Sequence, residues 1–412
     1  MAGVCAAIAA GRAGARTLLA ERIGFFGGAA TAGAVVQFMG WKTAGGKQII
    51  RGLGEEIVER VVAAGGSDGH GWFTMSTGLR MDRVEFDPEI LKLVLDEMVI
   101  DAGVAPLFHS WVSSVERHGS KIAKVHLLTK SGVIALEPCV VIDATGDLDV
   151  LHAAGCDMLP LDEGEELQPA TLVFRMGPID FEVFNRLSPG QKRELSQRGV
   201  TDHSLGRLAL QCNQVPGTND GWFNVTRIAV DGTDALALSQ AEIEGRRQAV
   251  AAARFIAARV PGCERAKLNG LATHIGVRET RRIKGRVILT EADLKSGRVF
   301  PDAIALCAFP IDLHQSGGSV TRLERLGAEE DAYCIPLRSL VPAALDNALV
   351  AGRGLSATHV ALAAVRVMPP VMAMGQAAGV TAAHACRLGK AVHEVPFDFV
   401  RRDLLASGAV LP

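Results

Sequence analysis

The sequence predicts an α/β fold in which a helix-layered parallel sheet opens near the N terminus, is interrupted by a mixed α+β region and is completed near the C terminus. Three observations predict it. The chain opens with a helix over Ala2 to Ala13, then a strand over Arg16 to Glu21. Two short stretches, Val140 to Asp143 and residues 347–352, are mostly apolar and run into turns of small residues. Near-continuous apolarity marks a strand covered on both faces, as parallel strands are. A long helix rich in small residues, Pro369 to Leu388, follows the second stretch.

The remaining elements follow in order. Gly14 punctuates the joint between the first helix and strand, as helix C-termini often require. Residues 24–46 are Gly- and Ala-rich without periodicity and read as loop with short elements. Leu53 to Ala64 reads as an amphipathic helix. Asp87-Pro88 opens another, with Pro in the first turn and Leu91, Val94, Leu95 and Met98 at helical spacing; Gly103 ends it. Val112 to Val115, Val125 to Leu128 and Val133 to Leu136 form a β-meander, separated by His118-Gly119-Ser120 and Lys130-Ser131-Gly132. Residues 160–330 are mixed, with strands near 170–176 and 222–230, a long helix near 239–259 and then a polar, Gly-rich stretch. The expected organisation is a first domain part at 1–159, an inserted substrate or cap domain at 160–330, and a completing part at 331–412. No internal repeat is evident.

Composition narrows the function. The 412 residues carry a net charge of −2, which argues against nucleic acid as the main partner, since phosphate binding needs clustered Lys and Arg. No apolar run reaches the length of a membrane span. No basic region precedes the apolar opening, so it reads as the first helix of a soluble domain and not as a secretory signal. The eight cysteines are scattered, with no C-x-x-C. That argues against a local zinc, iron–sulfur or redox-disulfide site and predicts reduced thiols in a cytoplasmic protein.

Three segments carry chemistry. Ala2-Gly3-Val4-Cys5-Ala6-Ala7 has the form of the tail of a G-x-G-x-x-G fingerprint, with Glu21 placed to take ribose hydroxyls. Asp143-Ala144-Thr145-Gly146-Asp147 is a strand running into a turn that lets backbone approach a dinucleotide; an ordinary βα turn capped by Asp147 is the alternative. Leu349-Val350-Ala351-Gly352-Arg353 repeats the form, followed by Gly375-Gln376-Ala377-Ala378-Gly379. Small residues on that helix permit approach of a flat ring, and its N-terminal N–H groups favour negative charge there. Close helix–helix packing would use the same residues.

In this order and spacing the segments resemble the FAD-dependent oxidoreductases of the glutathione-reductase-like superfamily, and nearly end to end the bacterial family called FAD-dependent oxidoreductase. Further motifs of that kind are Leu18-Leu19-Ala20-Glu21-Arg22, Phe86-Asp87-Pro88-Glu89, Val277-Arg278-Glu279-Thr280-Arg281-Arg282, Tyr333-Cys334-Ile335-Pro336-Leu337-Arg338 and Val365-Arg366-Val367-Met368-Pro369. The resemblance implies a Rossmann-like FAD-binding domain, its first strand missing, with an inserted mixed α+β substrate domain. It implies FAD as cofactor. Gly3, Gly27 and Gly28 would lie by the pyrophosphate, Glu21 and Arg22 by the adenosine ribose, and the Val112 backbone by the adenine. Ala144, Thr145 and Gly146 would lie by the dinucleotide, and Gly352 and Arg353 would belong to the second flavin motif. Gly375, Gln376, Ala377 and Ala378 would face the isoalloxazine. Family chains begin with an apolar strand and a G-G-G-x-A-G run, whereas here Met1 stands directly before Ala2-Gly3. The expectation is that Met1 is an internal Met or a misassigned start, and that the chain as given would bind FAD much more weakly.

Substrate contacts are expected from His274, Arg278, Glu279, Arg281, His314, Arg338, His359 and Arg366. Arg278, His359, His274 and Arg366 are the leading catalytic candidates. Arginine holds carboxylates in bidentate geometry, and histidine manages the proton that accompanies hydride transfer. Each has a structural alternative: Arg278 and Arg281 could pair with Glu279 and Glu291, and His359 could stabilise a helix. No metal ligands stand out. The function expected is hydride transfer between a small organic substrate and flavin; the alternative is a truncated, cofactor-deficient paralogue without activity. A NAD-only dehydrogenase is disfavoured by the motif at 349–353. Self-association and an iron–sulfur partner protein stay open.

Overall fold

The computed structural model describes residues 1–75, 78–316, 318–319, 321–327 and 331–412. Five helices frame the site: α1 (Ala2–Arg12), α2 (Pro88–Asp101), α3 (Ala235–Arg259), α4 (His359–Val365) and α5 (Met368–Leu388). With them stand strands β1 (Leu18–Ala20), β2 (Ala105–Leu107), β3 (Val141–Asp143) and β4 (Ala348–Val350). The expected α/β fold is present.

Helix α1 crosses α5 at backbone distance. A Cβ on Gly375 would fall 2.3 Å from the Ala2 carbonyl oxygen, and one on Gly379 only 2.1 Å from that of Ala6. No side chain fits there, so the small-residue stripe of α5 is what lets the two helices meet. Strand β1 pairs with β2, and β3 with β4, both in parallel. These are separate two-stranded ladders on either side of the first turn of α1, not one continuous sheet: no strand joins them among the described residues. Leu18 on β1 is accordingly exposed.

The meander forms over Trp111–His118, Lys121–Thr129 and Gly132–Leu136. Its inner face, Ile122, Val125 and Leu127, joins Leu148, Leu151, Ile283, Ala348 and Val350 in a second apolar cluster under β3 and β4. Asp87 caps α2, accepting from the Glu89 N–H, which makes Pro88 its first residue.

The middle of the chain departs further from expectation. An antiparallel sheet runs in the order Cys212–Gln214, Gly221–Phe223, Phe174–Gly177, Lys267–Leu271. The strand expected over 222–230 stops at Phe223. Beyond it the Thr226 hydroxyl bonds the Leu172 N–H and carbonyl, at 2.8 and 3.0 Å, and a single backbone bridge, Ala170 with Ile228, follows. Helix α3 starts at Ala235, ahead of residue 239, because the Asp234 carboxylate accepts from the Leu236 and Ala237 N–H groups. The segment after Ala64 contains an unforeseen hairpin, His70–Thr74 with Arg80–Glu85, joined by Gln37–Met39 from the supposed loop. Its buried Asp82 accepts from the Trp41 N–H at 2.8 Å, so a charged residue inside the sheet hid the alternation.

One contiguous core contains Ile8, Phe38, Phe174, Phe223 and Ile335, drawing on all three parts of the expected division. The boundary expected after residue 330 lies outside the described residues. Among the described residues no single helix is long and apolar enough to cross a membrane, and the α4–α5 pair bends by 93°. No group of three His, Cys, Asp or Glu among them is placed to hold a metal ion. All eight cysteines are free thiols.

Candidate active site

Segments far apart in sequence converge on the first turn of α1. A Cβ on Gly3 would lie 3.0 Å from that of Ala144, and one on Gly352 would lie 3.5 Å from that of Ala2. The Met1 ammonium donates to the Gly27 carbonyl at 3.3 Å. Gly27 has φ of +113°, and a Cβ there would strike the Thr31 hydroxyl, which itself donates to the Phe26 carbonyl at 2.6 Å. Gly28, at φ +55°, has nothing within 4 Å of where its Cβ would be, so its backbone borders open space. The Ser110 N–H donates to the Glu21 carbonyl at 3.1 Å, which brings the strand carrying Val112 to the end of β1. Arg22 beside Glu21 is exposed. Glycine turns and an acidic strand end around one helix N-terminus fit a dinucleotide.

The turn after β3 is tied internally. The buried Asp143 carboxylate accepts from the Thr145 N–H and hydroxyl, at 3.0 and 2.7 Å, and from the Leu151 N–H at 3.0 Å; burial pushes its pKa up. Gly146 has φ of +85° and lies under the Arg353 guanidinium, 3.2 Å from where a Cβ would be. Arg353 contacts the Asp147 carboxylate at 2.6 Å and the Thr280 hydroxyl at 2.8 Å. Thr280 donates in turn to Asp147 at 2.7 Å, and Arg281 to the Asp147 carbonyl at 3.0 Å. Burial works against the Asp147 charge, but Arg353 and Thr280 outweigh it and hold the carboxyl below its usual pKa.

From Thr280 the next residue leads inward. Glu279 is fully buried. Its carboxylate meets His359 Nδ1 at 2.8 and 2.9 Å, Gln168 Nε2 at 3.2 Å and Arg282 Nε at 3.4 Å. Thr358 caps α4, so His359 sits in its first turn. The Gln168 oxygen accepts from Arg366 at 3.1 Å and from the His314 N–H at 3.4 Å. Arg366 also donates to the Asp312 carbonyl at 2.9 Å. His314 is 3.3 Å from the Asp312 carboxylate; burial and the nearby Arg278 charge push its pKa down to about 3, so the ring is neutral. Arg278 donates to the Pro169 carbonyl. Burial first, then Arg366 and Arg207, push its pKa down.

Of the expected substrate contacts, Arg278, Arg366 and His314 thus come together near Asp312, and His359 reaches them through Glu279 and Gln168. His274 does not join them. It lies 3.5 Å from Arg22, its Nδ1 on the Ile275 carbonyl at 2.8 Å, because Thr273 donates to the Ala32 carbonyl and draws it to the Gly27 loop. Arg338 binds Asp302 through two contacts of 3.0 Å at the surface, away from this cluster. The pairing of Arg278 with Glu279 is absent, since Arg282 takes that carboxylate. Arg281 pairs with Asp149, while Glu291 pairs with Lys295 and Arg322.

The surface expected to face the flavin ring is also different. Gly375 is occupied by the α1 backbone, and Ala377 and Ala378 are fully buried. Gln376 accepts from the Leu53 N–H at 3.0 Å and donates to Ser407 at 2.9 Å. Here the helix-packing alternative describes these residues. Pro369 and Pro370 stand in the first turn of α5 and bring no N–H groups, so few donors are left at that end. Asp147, expected at most as a cap, and Gln168, Arg207, Arg227 and Asp312, not expected at all, also stand in this network. Only Asp147 stood inside a recognised motif; the others come from stretches without local pattern.

The family model described as FAD dependent oxidoreductase matches residues 1–404. No curated protein matches the chain. Among solved structures, a geranylgeranyl bacteriochlorophyll reductase-like protein from Thermoplasma acidophilum aligns with a TM-score of 0.52 at 11% identity, over 98% of this chain and 80% of that one. A flavin-dependent brominase aligns with a TM-score of 0.51 at 12% identity, over 97% and 80%. The anhydrotetracycline hydroxylase from Streptomyces rimosus aligns with a TM-score of 0.50 at 12% identity, over 99% and 64%. At these identities the likeness is one of fold.

Proposed function

The chain belongs to the FAD dependent oxidoreductase family, and from that premise we propose that it moves a hydride between a small organic substrate and FAD, with the substrate between His359 and the arginines around Asp312. It is an oxidoreductase with FAD as its cofactor; the family match gives the cofactor-deficient alternative no support. Bound FAD supplies two-electron redox chemistry. Gly3, Glu21, Arg22, Gly27, Gly28, the Val112 backbone, Ala144, Thr145, Gly146, Gly352 and Arg353 would hold it. The observation that supports these assignments is the convergence of their segments on the first turn of α1.

The protein's own part is to orient the substrate and handle the proton. The observation that carries this reading is the buried Glu279 on His359 Nδ1 at 2.8 Å. A carboxylate on one ring nitrogen fixes orientation and tautomer and leaves the other for chemistry. Among the described residues His359 makes no hydrogen bond through Nε2, so Nε2 is the atom that gives or takes the substrate proton. Glu279 is a positioning residue, held by Arg282 and Gln168. The antiparallel sheet of residues 174–271 and the Ile311–His314 strand form the substrate side. We place the enzyme in the cytoplasm, on its free thiols.

The test is the rate of flavin reduction by a panel of small organic donors against pH. His359→Asn should slow flavin reduction across the pH range while flavin content is unchanged. An identical profile in the variant would remove His359 from the reaction.

A further inference from the structure

Beside His359 lies a group of charges that proton handling does not need. Arg366 lies 3.5 Å from the Asp312 carboxylate, and Arg207, Arg227 and Arg278 are near enough to feel the charge of that same carboxylate. Three of their elements are tied at Gln168-Pro169: Arg278 donates to the Pro169 carbonyl, and Gln168 accepts from both Arg366 and the His314 N–H. Arg207 contacts the Asn224 carbonyl and side-chain oxygens at 3.4 Å each. Arg227 is spent on the Gln315 carbonyl, Thr321 and His314.

The charges do not balance. Asp312 lies 3.5 Å from Arg366, and that contact is shared with His314. The neutral imidazole adds no charge, and Glu279 is matched by Arg282. Arg207 is 9% exposed and the Arg366 side chain 12%, yet the buried Nε of each has no hydrogen-bond partner. Buried cations and buried donors are normally both satisfied. Here the missing group is an acceptor with negative charge. Arg278 and Arg366 each keep part of their surface exposed, whereas Arg207 is buried.

We propose that Arg207, Arg278 and Arg366 form the receptor for a carboxylate of the substrate, which makes the enzyme one that acts on small organic acids. This rests on the reading that the substrate lies between His359 and these arginines. Guanidinium groups accept a carboxylate through two parallel hydrogen bonds, and their unused Nε and Nη donors provide such forks. Arg227, already bonded to the protein, contributes positive field and holds the Ile311–His314 strand. Anchoring the acid group here would set the carbon next to it at a fixed distance from His359.

The experiment is calorimetric binding to the flavin-loaded protein, with succinate and benzoate as probes, their neutral amides and inorganic phosphate as controls. The acids should bind at least tenfold more tightly than the amides and than phosphate, and more weakly as salt rises. Arg278→Met and Arg207→Met should each weaken acid binding at least tenfold with flavin content unchanged; Arg278→Lys, which keeps the charge and is the milder change, should lose part of it. His359→Asn should bind the acids within about twofold of the parent, which separates the two readings: a faulty proton assignment would leave acid binding intact. Equal binding of acids and amides, or preference for phosphate, would overturn the proposal, as would acid binding indifferent to all three arginine substitutions.

Discussion

Arg353 lies 2.6 Å from the Asp147 carboxylate, with Thr280 bonded to both at 2.7 and 2.8 Å. This triangle joins three segments that are far apart in the chain: the turn after β3, the Arg278–Arg282 stretch and the turn after β4. It sits directly over Gly146 and beside the inward path to Glu279. What the sequence shows as three separate motifs is one rigid corner.

Replacing Asp147 by Asn leaves the partly buried Arg353 without its counter-charge. Breaking a buried pair from one side costs about 3–5 kcal/mol, and Arg353 at 17% side-chain exposure should lie near the lower end. Denaturant unfolding should show that loss, and the flavin recovered per chain should fall with it. An unchanged midpoint would mean that the triangle is not a structural tie.

Gly379→Ala should force α1 and α5 apart, because the new methyl would sit 2.1 Å from the Ala6 carbonyl oxygen. Overpacking of this kind costs about 1–3 kcal/mol. A thermal melt of the variant against the parent measures it.

Gln376→Leu tests whether that side chain serves the fold or the flavin. It should lower stability by about 1–3 kcal/mol, since the buried Leu53 N–H loses its acceptor and the Ser407 hydroxyl loses the donor from Gln376. The flavin absorption maxima should stay where they are; a shifted spectrum would return Gln376 to the ring.

His359→Asn should slow flavin reduction by about 10²–10⁴-fold, the usual worth of a positioned acid or base. Glu279→Gln should slow it less, because the ring keeps a hydrogen-bond partner at Nδ1 but loses the charge that orients it. Rapid-mixing kinetics over a pH series checks both.

Stability should fall as pH drops below about 6.5. The folded pKa of His314, pushed down to about 3, lies below its unfolded value. The unfolded chain therefore takes up a proton that the folded chain refuses, and stability present above the unfolded pKa is lost on acidification. One such proton is worth up to about 1.4 kcal/mol per pH unit. Denaturant midpoints at pH 7.5, 6.5 and 5.5 should trace this slope, and His314→Gln should flatten it.

The sequence by itself determined what local chemistry controls. Asp87-Pro88 could only open a helix, the polar turns at 118–120 and 130–132 could only separate strands, and glycine turns at Gly146 and Gly352 follow from positive φ. Those signals sufficed for the α/β class and for the family, because each lies within a few residues of its cause. Tertiary structure decided the rest. Whether Gly375 and Gly379 meet a ring or a helix depends on where α1 crosses α5. Whether His274 joins Arg278 depends on the Gly27 loop, which holds it at Arg22. The arginines at 207, 227, 278 and 366 have no common spacing, and only the fold, by placing them near Asp312, makes their separate charges into one site.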